Sequence, residues 1–321
     1  MDTLSQLLSL GRIELRPDVR CLLQGAFAMR HEAAQPGEAA FHLLLAGQCR
    51  LQARQGPALI LNEGDFVLLP HGSAHDLLDI EATTARRPVP AVVEEAGRLP
   101  LRRNTAPEQQ ADVDLLCGRF SYDRGAGDLF ARSLPGVLHV PLAHHLPQLQ
   151  PLIAMLRAEA ASPLPGAAAV INALGQALLA LALRAYGQRE EVPANMLALA
   201  ADNRIGPSVR AMIQDPGQAW TIETLGNKAA MSRATYARHF RSRAGMTVGE
   251  FLLRIRMMHA SALLNHSQRN QRDIAEQVGY QSEAAFGKAF REIMGQTPGQ
   301  WRRLHRNARP VDTARRSDPK Q

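Results

Sequence analysis

The sequence predicts an α+β protein: an N-terminal β-barrel, a helical connector and an all-α C-terminal half built from two helix-turn-helix units. Three observations predict it. The 321 residues exceed one ordinary core and suit two domains of about 100 to 200 residues, each with a core of its own. From Leu15 to His75 the chain runs in short β-forming stretches broken by turns, whereas beyond Asn203 apolar residues recur at helical spacing. Residues 231–251 and 281–301 also repeat one pattern without a gap.

Taken in order, "MDTLSQLLSLGRIELR" lacks a basic start and a long apolar run, so a short amphipathic helix is expected there rather than an export signal. "CLLQGAFAMR", "AFHLLLAGQCRLQAR" and "PALILNEGDFVLLP" are the barrel strands. Residues 82–111 are rich in Pro, Ala and charge without periodicity and read as a flexible insertion, after which "VDLLCGRFSYD" rejoins the barrel, completing a domain over 1–140. In the connector, 141–202, Leu149, Leu152, Ile153 and Leu156 mark one helix. Val170, Ile171, Leu174, Leu178 and Leu181 mark a second, ended by Gly187. These stripes either pack on the barrel or form a homodimer surface. The uncharged run 164–183 is long enough to suggest a membrane span, but Pro165, Gly166, Asn172 and Gln176 interrupt it, and no membrane partner is expected. The helical module occupies 203–306, and the tail 307–321 is expected to be disordered.

Charge separates these regions. The net charge is +7, and residues 201–309 hold 17 Lys/Arg against 8 Asp/Glu, leaving 20 of the 37 basic and 22 of the 30 acidic residues elsewhere. The basic excess belongs to the helical module and points to a polyanionic partner for it. With three cysteines and no export signal, a reducing cytoplasm is expected, so any disulfide is conditional.

In the repeat, Ser232, Tyr236, Phe240, Gly245 and Thr247 recur as Ser282, Phe286, Phe290, Gly295 and Thr297. Each copy has a short helix, a turn and a second helix opened by a serine N-cap: Thr221–Ala230 then Ser232–Ala244, and Arg272–Val278 then Ser282–Met294. The aromatic pairs lie four apart and form buried stripes. The opposite faces carry Arg233, Ala234, Ala237, Arg238 and Arg241 in the first copy, and Glu283, Ala284, Gly287, Lys288 and Arg291 in the second. Small residues let such a helix lie deep in a major groove of double-stranded DNA, with Arg238 bidentate on a guanine and Arg241, Lys288 and Arg291 on phosphates. Glu283 opposes phosphate binding at the start of the second helix. "TVGEFLLRIRMMHASALLN" between the copies is long enough to hold them about 34 Å apart, on successive major grooves.

"WTIETLGNKAAMSRATYARHFRSRAGMTVGEFLLRIRMMHASALL" and "RDIAEQVGYQSEAAFGKAFREIMGQTPGQWRR" resemble the tandem DNA-binding domain of AraC/XylS-family transcription regulators. The resemblance covers about 203–306 and implies a bacterial regulator, often an activator working with RNA polymerase. By position in the family pattern Ala234, Ala237 and Arg238 match base-contacting residues. Two of the three are alanines, which places base reading on Arg238 and neighbours such as Arg233.

In the N-terminal half, "GDFVLLPHGSAH" fits G-x5-P-x-G-x2-H and resembles the second motif of cupin barrels, whose closing histidine points inward, where related enzymes hold a metal. A metal centre ordinarily needs three or four ligands. His42 and His75 are the only pair at barrel positions, and the first cupin motif's H-x-H and carboxylate are missing. A sensing pocket with Cys21, His42 and His75, which are also the candidate metal ligands, is favoured over a metal-dependent enzyme; no cofactor is required, and a plain packed core remains an alternative. His71 lies in the turn. The half as a whole is similar to the cupin-type sensor of an AraC subfamily that responds to reactive chlorine. That resemblance implies an activator switched by oxidation of Cys21 with Cys117; the 82–111 insertion and Cys49 are departures from it. On the residues alone, strand cysteines are most often small buried hydrophobes, and a small ligand in the barrel is the alternative inducer.

Overall fold

The computed structural model describes residues 1–54, 56–81, 89–94, 99–106, 108–141, 149–162, 164–189 and 191–305. Helix α1 (Thr3–Gly11) is started by Asp2, whose carboxylate accepts the Ser5 backbone N–H at 2.9 Å. Strands β1 (Glu14–Leu23), β2 (Ala28–His31), β3 (Glu38–Ala46), β4 (Gln48–Ala53), β5 (Leu59–Asn62), β6 (Asp65–Leu69), β7 (His75–Leu78), β8 (Val92–Glu94), β9 (Leu101–Arg103) and β10 (Val113–Ser121) follow. Helix α2 (Ala126–Ala131) then leads to β11 (Leu138–Pro141). They make a seven-stranded sheet, β11-β6-β3-β10-β1-β9-β8, and a four-stranded sheet, β2-β7-β4-β5.

The cupin-like domain is thus a sandwich of two sheets, and alternation along the strands explains its layers. On β3, Phe41, Leu43 and Leu45 face a core covered by helices, while Leu44 and His42 face the four-stranded sheet. β1 has an irregularity at Pro17–Val19: Pro17 pairs with Gly118 and Val19 with Cys117, so Asp18 is an extra residue. Its carboxylate is clasped by both Nε and Nη2 of Arg119, at 2.8 and 2.9 Å. The bulge reverses the parity of the strand. Leu15 packs beneath the helices and Cys21, an even number of residues on, packs between the sheets.

The stretch 82–111, expected to be a flexible insertion, contains β8 and β9. β9 runs parallel to β1, pairing Arg20 with Leu101 and Leu22 with Arg103, and covers an edge that would otherwise expose unpaired backbone groups. Strands of three residues are too short for periodicity to reveal. Residues 82–88, 95–98 and 107 of that stretch, 142–148 of the connector and the tail 307–321 lie outside the described residues.

The remaining chain is helical: α3 (Leu149–Ala160), α4 (Ala167–Gly187), α5 (Met196–Ala200), α6 (Gly206–Gln214), α7 (Ile222–Lys228), α8 (Arg233–Ala244), α9 (Val248–His266), α10 (Gln271–Gln277), α11 (Glu283–Met294) and α12 (Pro298–His305). α4 is long and apolar enough to cross a membrane by length and composition. Its Ile171, Leu178, Leu179, Ala182 and Leu183 are buried in the main core, and α4 approaches β1 so closely that a methyl group at Gly175 would overlap Leu15. The two separate cores expected from chain length are merged: Leu7 of α1, Phe130 of α2, Leu178 of α4, Met212 of α6 and Phe251 of α9 belong to one buried cluster. A polar seam joins the halves. Asn265 Nδ2 donates to Asp123 Oδ1 at 3.0 Å, His266 Nε2 lies 3.0 Å from Asp123 Oδ2, and Trp301 Nε1 donates to Asn265 Oδ1 at 2.9 Å. Gly125, at φ 98°, sits beside Ser261, where any side chain would collide.

Candidate sensor cluster and nucleic-acid interface

Between the two sheets the pleat aims four titratable side chains at one another. His42 on β3 lies directly opposite Cys117 on β10, and Cys21 on β1 is diagonal to Cys117, since Cys21 pairs with Leu115 and Val19 with Cys117. His75 opens β7 after the motif's turn, in which Gly72 takes φ 62° and the Gly72 carbonyl accepts the Ala34 N–H. His42, His75, Cys21 and Cys117 are each no more than 3% exposed. The structure therefore brings together Cys21, His42, His75 and Cys117, leaves His71 exposed in the turn, and places Cys49 in the same inter-sheet core.

The hydrogen bonds assign the tautomers. His75 Nδ1 lies 2.9 Å from the Ser73 carbonyl oxygen, which only accepts, so Nδ1 carries the proton and Nε2 of the neutral ring is the acceptor. His42 Nε2, at 2.6 Å from His75 Nε2, is then the donor, which leaves His42 Nδ1 to accept from the Cys117 thiol at 3.1 Å. One directed chain results, Cys117 to His42 to His75 to Ser73, with neutral rings throughout. Burial holds His42 well below the usual imidazole range and also lowers His75. The neighbouring Cys21 and then burial push the Cys117 thiol well above its usual range. Burial pushes Cys49 up to about 12.

Sequence reasoning missed His31. It ends β2 directly opposite His75, stacks on that ring at 4.8 Å between centroids with an interplanar angle of 1°, and meets His42 edge-on at 4.9 Å. Burial lowers it to about 4, and its Nε2 is buried with no hydrogen-bond partner among the described residues. The signal available was weak: "AMRH" is a strand-like run, but only strand pairing places its last residue against the motif histidine.

In the helical half α7–α8 and α10–α11 form the two repeated units. Ser232 and Ser282 cap their second helices, accepting from Thr235 N at 3.3 Å and Ala285 N at 3.2 Å. Tyr236, Phe240, Phe286 and Phe290 are fully buried. Arg233, Ala234, Arg238 and Arg241 on α8, and Ala284, Lys288 and Arg291 on α11, are exposed, whereas Ala237 and Gly287 are half-buried. No ion pair holds these cations among the described residues.

Known proteins match this organisation. A family described as Cupin matches residues 2–188, and a Helix-turn-helix domain family matches 225–304. The chain is 33% identical over 307 residues to the HTH-type transcriptional regulator MtrA of Neisseria gonorrhoeae, covering 94% of this chain and 98% of that one. It is 30% identical over 315 residues to the RCS-specific HTH-type transcriptional activator RclR of Escherichia coli, covering 97% and 100%. Among solved structures, the DNA-binding domain of AdpA in complex with a target DNA is 29% identical, covers 34% of this chain and 99% of that chain, and has a TM-score of 0.33. These full-length relatives are transcription regulators, not enzymes. The chain belongs to the AraC family of helix-turn-helix, DNA-binding transcription regulators with an N-terminal cupin sensor domain.

Proposed function

We propose that this regulator is a cytoplasmic, sequence-specific activator switched by oxidation of Cys21 with Cys117 by reactive chlorine species, as the name of the Escherichia coli relative suggests for that protein. The observation that carries the reading is the position of the Cys117 thiol, diagonal to Cys21 across paired strands and 3.1 Å from an accepting His42 nitrogen. In the reaction hypochlorous acid transfers chlorine to the Cys117 sulfur, and water leaves with the thiol proton and the hypochlorite oxygen. The Cys21 sulfur then displaces chloride and gives up its proton, leaving a disulfide; the two thiols are oxidised by two electrons and the chlorine is reduced to chloride. His42 Nδ1, accepting from the Cys117 thiol at 3.1 Å, holds that sulfur in position for the reaction.

The same geometry supports a transmission step. Diagonal cross-strand residues have Cα atoms about 7 to 8 Å apart, wider than the usual disulfide span, so closing the bond requires β1 and β10 to shift. β1 bears on α4 through Leu15, α4 packs on α5, and α5 packs on α8. Within the helical half, Arg233, Ala234, Ala237 and Arg238 take base-reading positions, with Arg241, Lys288 and Arg291 on phosphates and Ala284 and Gly287 giving clearance to the second helix. The working division is a sensor over 1–140, a connector over 141–202 that also serves a homodimer, and a DNA-binding module over 203–306 that recruits RNA polymerase.

The test is mass-spectrometric thiol mapping of the reduced full-length protein before and after one equivalent of hypochlorite. A Cys21–Cys117 linkage that forms on oxidation and reverses with reductant is expected; both thiols remaining reduced, or Cys49 alone reacting, sinks the reading. One observation favours a second reading: an open cleft of about 840 Å³ beside the sandwich is lined by Arg54, His71, His139, Tyr186 and Arg189, among others. A Cys21→Ala variant that still responds to the natural inducer would assign sensing to a small ligand there.

A further inference from the structure

We propose that the inter-sheet cluster is a binding site for a thiophilic divalent cation of the Zn2+ class, held by His31, His42 and Cys117. The oxidation chemistry can fail while this site stands, and the reverse, because the metal claim concerns the reduced protein alone.

Three independent features point to it. First, one ligand atom from each of His31, His42 and Cys117 lies within 4.8 Å of the others. A tetrahedral ion with metal–nitrogen bonds of about 2.0 Å and metal–sulfur bonds of about 2.3 Å holds such donors roughly 3.5 Å apart. His42 Nδ1 and Cys117 Sγ are at 3.1 Å, so an inward movement of His31 closes the set. Second, His31 Nε2 is buried without a hydrogen-bond partner, an arrangement that costs about 1 to 3 kcal/mol unless something fills its lone pair. A metal ion does so, and no polar protein atom among the described residues does. Third, His42 is oriented as metal-bound histidines are: the nitrogen away from the sulfur donates its proton to His75 Nε2, and His75 is itself anchored on the Ser73 carbonyl. His75 is therefore a positioning residue and not a ligand, because it meets the face of His42 remote from Cys117.

The donor set selects the ion. Imidazole and thiolate with no carboxylate in the group favour Zn2+ and its softer neighbours over Mg2+, Ca2+ or Mn2+. Binding expels the Cys117 proton, since the thiolate is the ligand. The Cys117 sulfur cannot hold the ion as a thiolate and also join Cys21, so bound metal and the Cys21–Cys117 disulfide exclude one another.

The test is titration of the reduced, metal-free, full-length protein with Co2+, followed by competition with Zn2+. One equivalent of Co2+ is expected to give the visible absorption of a tetrahedral site together with a thiolate-to-metal charge-transfer band, both abolished by Zn2+. His31→Gln weakens binding about 10-fold or more, and Cys117→Ser removes the charge-transfer band. His75→Gln weakens affinity by about 10- to 100-fold while keeping the band, as loss of an orienting partner does. Cys49→Ser changes nothing. Should Cys117→Ser fail to fold, the half-buried His31 variant and the wild-type spectrum decide. No stoichiometric Co2+ spectrum, a spectrum without charge transfer, or one unaltered by His31→Gln overturns the site. Thiol mapping of the metal-free protein then reports separately on the disulfide.

Discussion

The two recognition helices, α8 and α11, are the same device with different surfaces. Each has 12 residues, a serine cap, a closing glycine in the left-handed region (φ 71° at Gly245 and 74° at Gly295) and a buried aromatic pair. The ring centroids of Tyr236 and Phe240 are 5.9 Å apart, and those of Phe286 and Phe290 5.6 Å. Their exposed residues diverge. α8 exposes Arg233, Arg238 and Arg241 with no acid, whereas α11 exposes Lys288 and Arg291 together with Glu283 and Glu292. Buried positions are held by packing, each aromatic contributing about 1.5 to 3 kcal/mol, while outward positions are left to whatever they bind. Their supports differ as well. α8 leans on the connector, where Asp202 lies 2.8 Å from His239 Nε2 and 3.3 Å from Arg243 Nε. α11 leans on α12, with Phe290 edge-on to Trp301, and through Trp301 and Asn265 on the Asp123 turn of the sensor.

On the DNA-contact roles proposed above, this asymmetry gives most of the sequence reading and most of the electrostatic attraction to the first unit. Arg238→Ala is expected to have the largest effect, lowering affinity for the chain's own promoter by about 5- to 150-fold, the loss of one bidentate base contact. Fluorescence anisotropy at fixed salt reads it, and a loss no greater than that of Lys288→Ala breaks the comparison. Next comes Asn265→Ala, which leaves Asp123 and the Trp301 indole short of partners and should destabilise the protein by about 1 to 3 kcal/mol in denaturant titration. Because Asn265 supports the second unit, contacts made by α8 should persist in footprints of that variant. The smallest effects belong to α11. Lys288→Ala should flatten the slope of log affinity against log salt by about 0.9, one phosphate contact, and Glu283→Gln should tighten binding slightly. A flat slope for the wild-type protein would remove the phosphate contacts altogether.

Much of this half was legible in the chain because its signals are local. Ser232 and Ser282 announce caps, Gly245 and Gly295 announce helix ends, and aromatic residues four apart announce a buried stripe; each works within one or two helical turns. The turn before His75 was legible for the same reason, since Pro70 and Gly72 restrict the backbone directly. The sensor cluster was legible only in part. His42 and His75 were singled out by residue type and motif, and Cys21 with Cys117 by the family resemblance, but the directed chain joining three of the four, and His31 beside it, depend on which strands pair.

The sequence by itself determined the helix and strand periodicities, the caps, the repeat and the concentration of positive charge in the C-terminal half, because these follow from spacing and from side-chain chemistry near in the chain. Only the tertiary structure decided that α1 and α2 share a core with the DNA-binding helices, and that residues 92–94 and 101–103 extend a sheet. It also decided that the extra residue at Asp18 turns Cys21 inward, and that His31 joins His42 and Cys117. Strand register is a long-range choice: His42 and Cys117 are separated by 75 residues, and a slip of one position would point either side chain to the other face of the sheet.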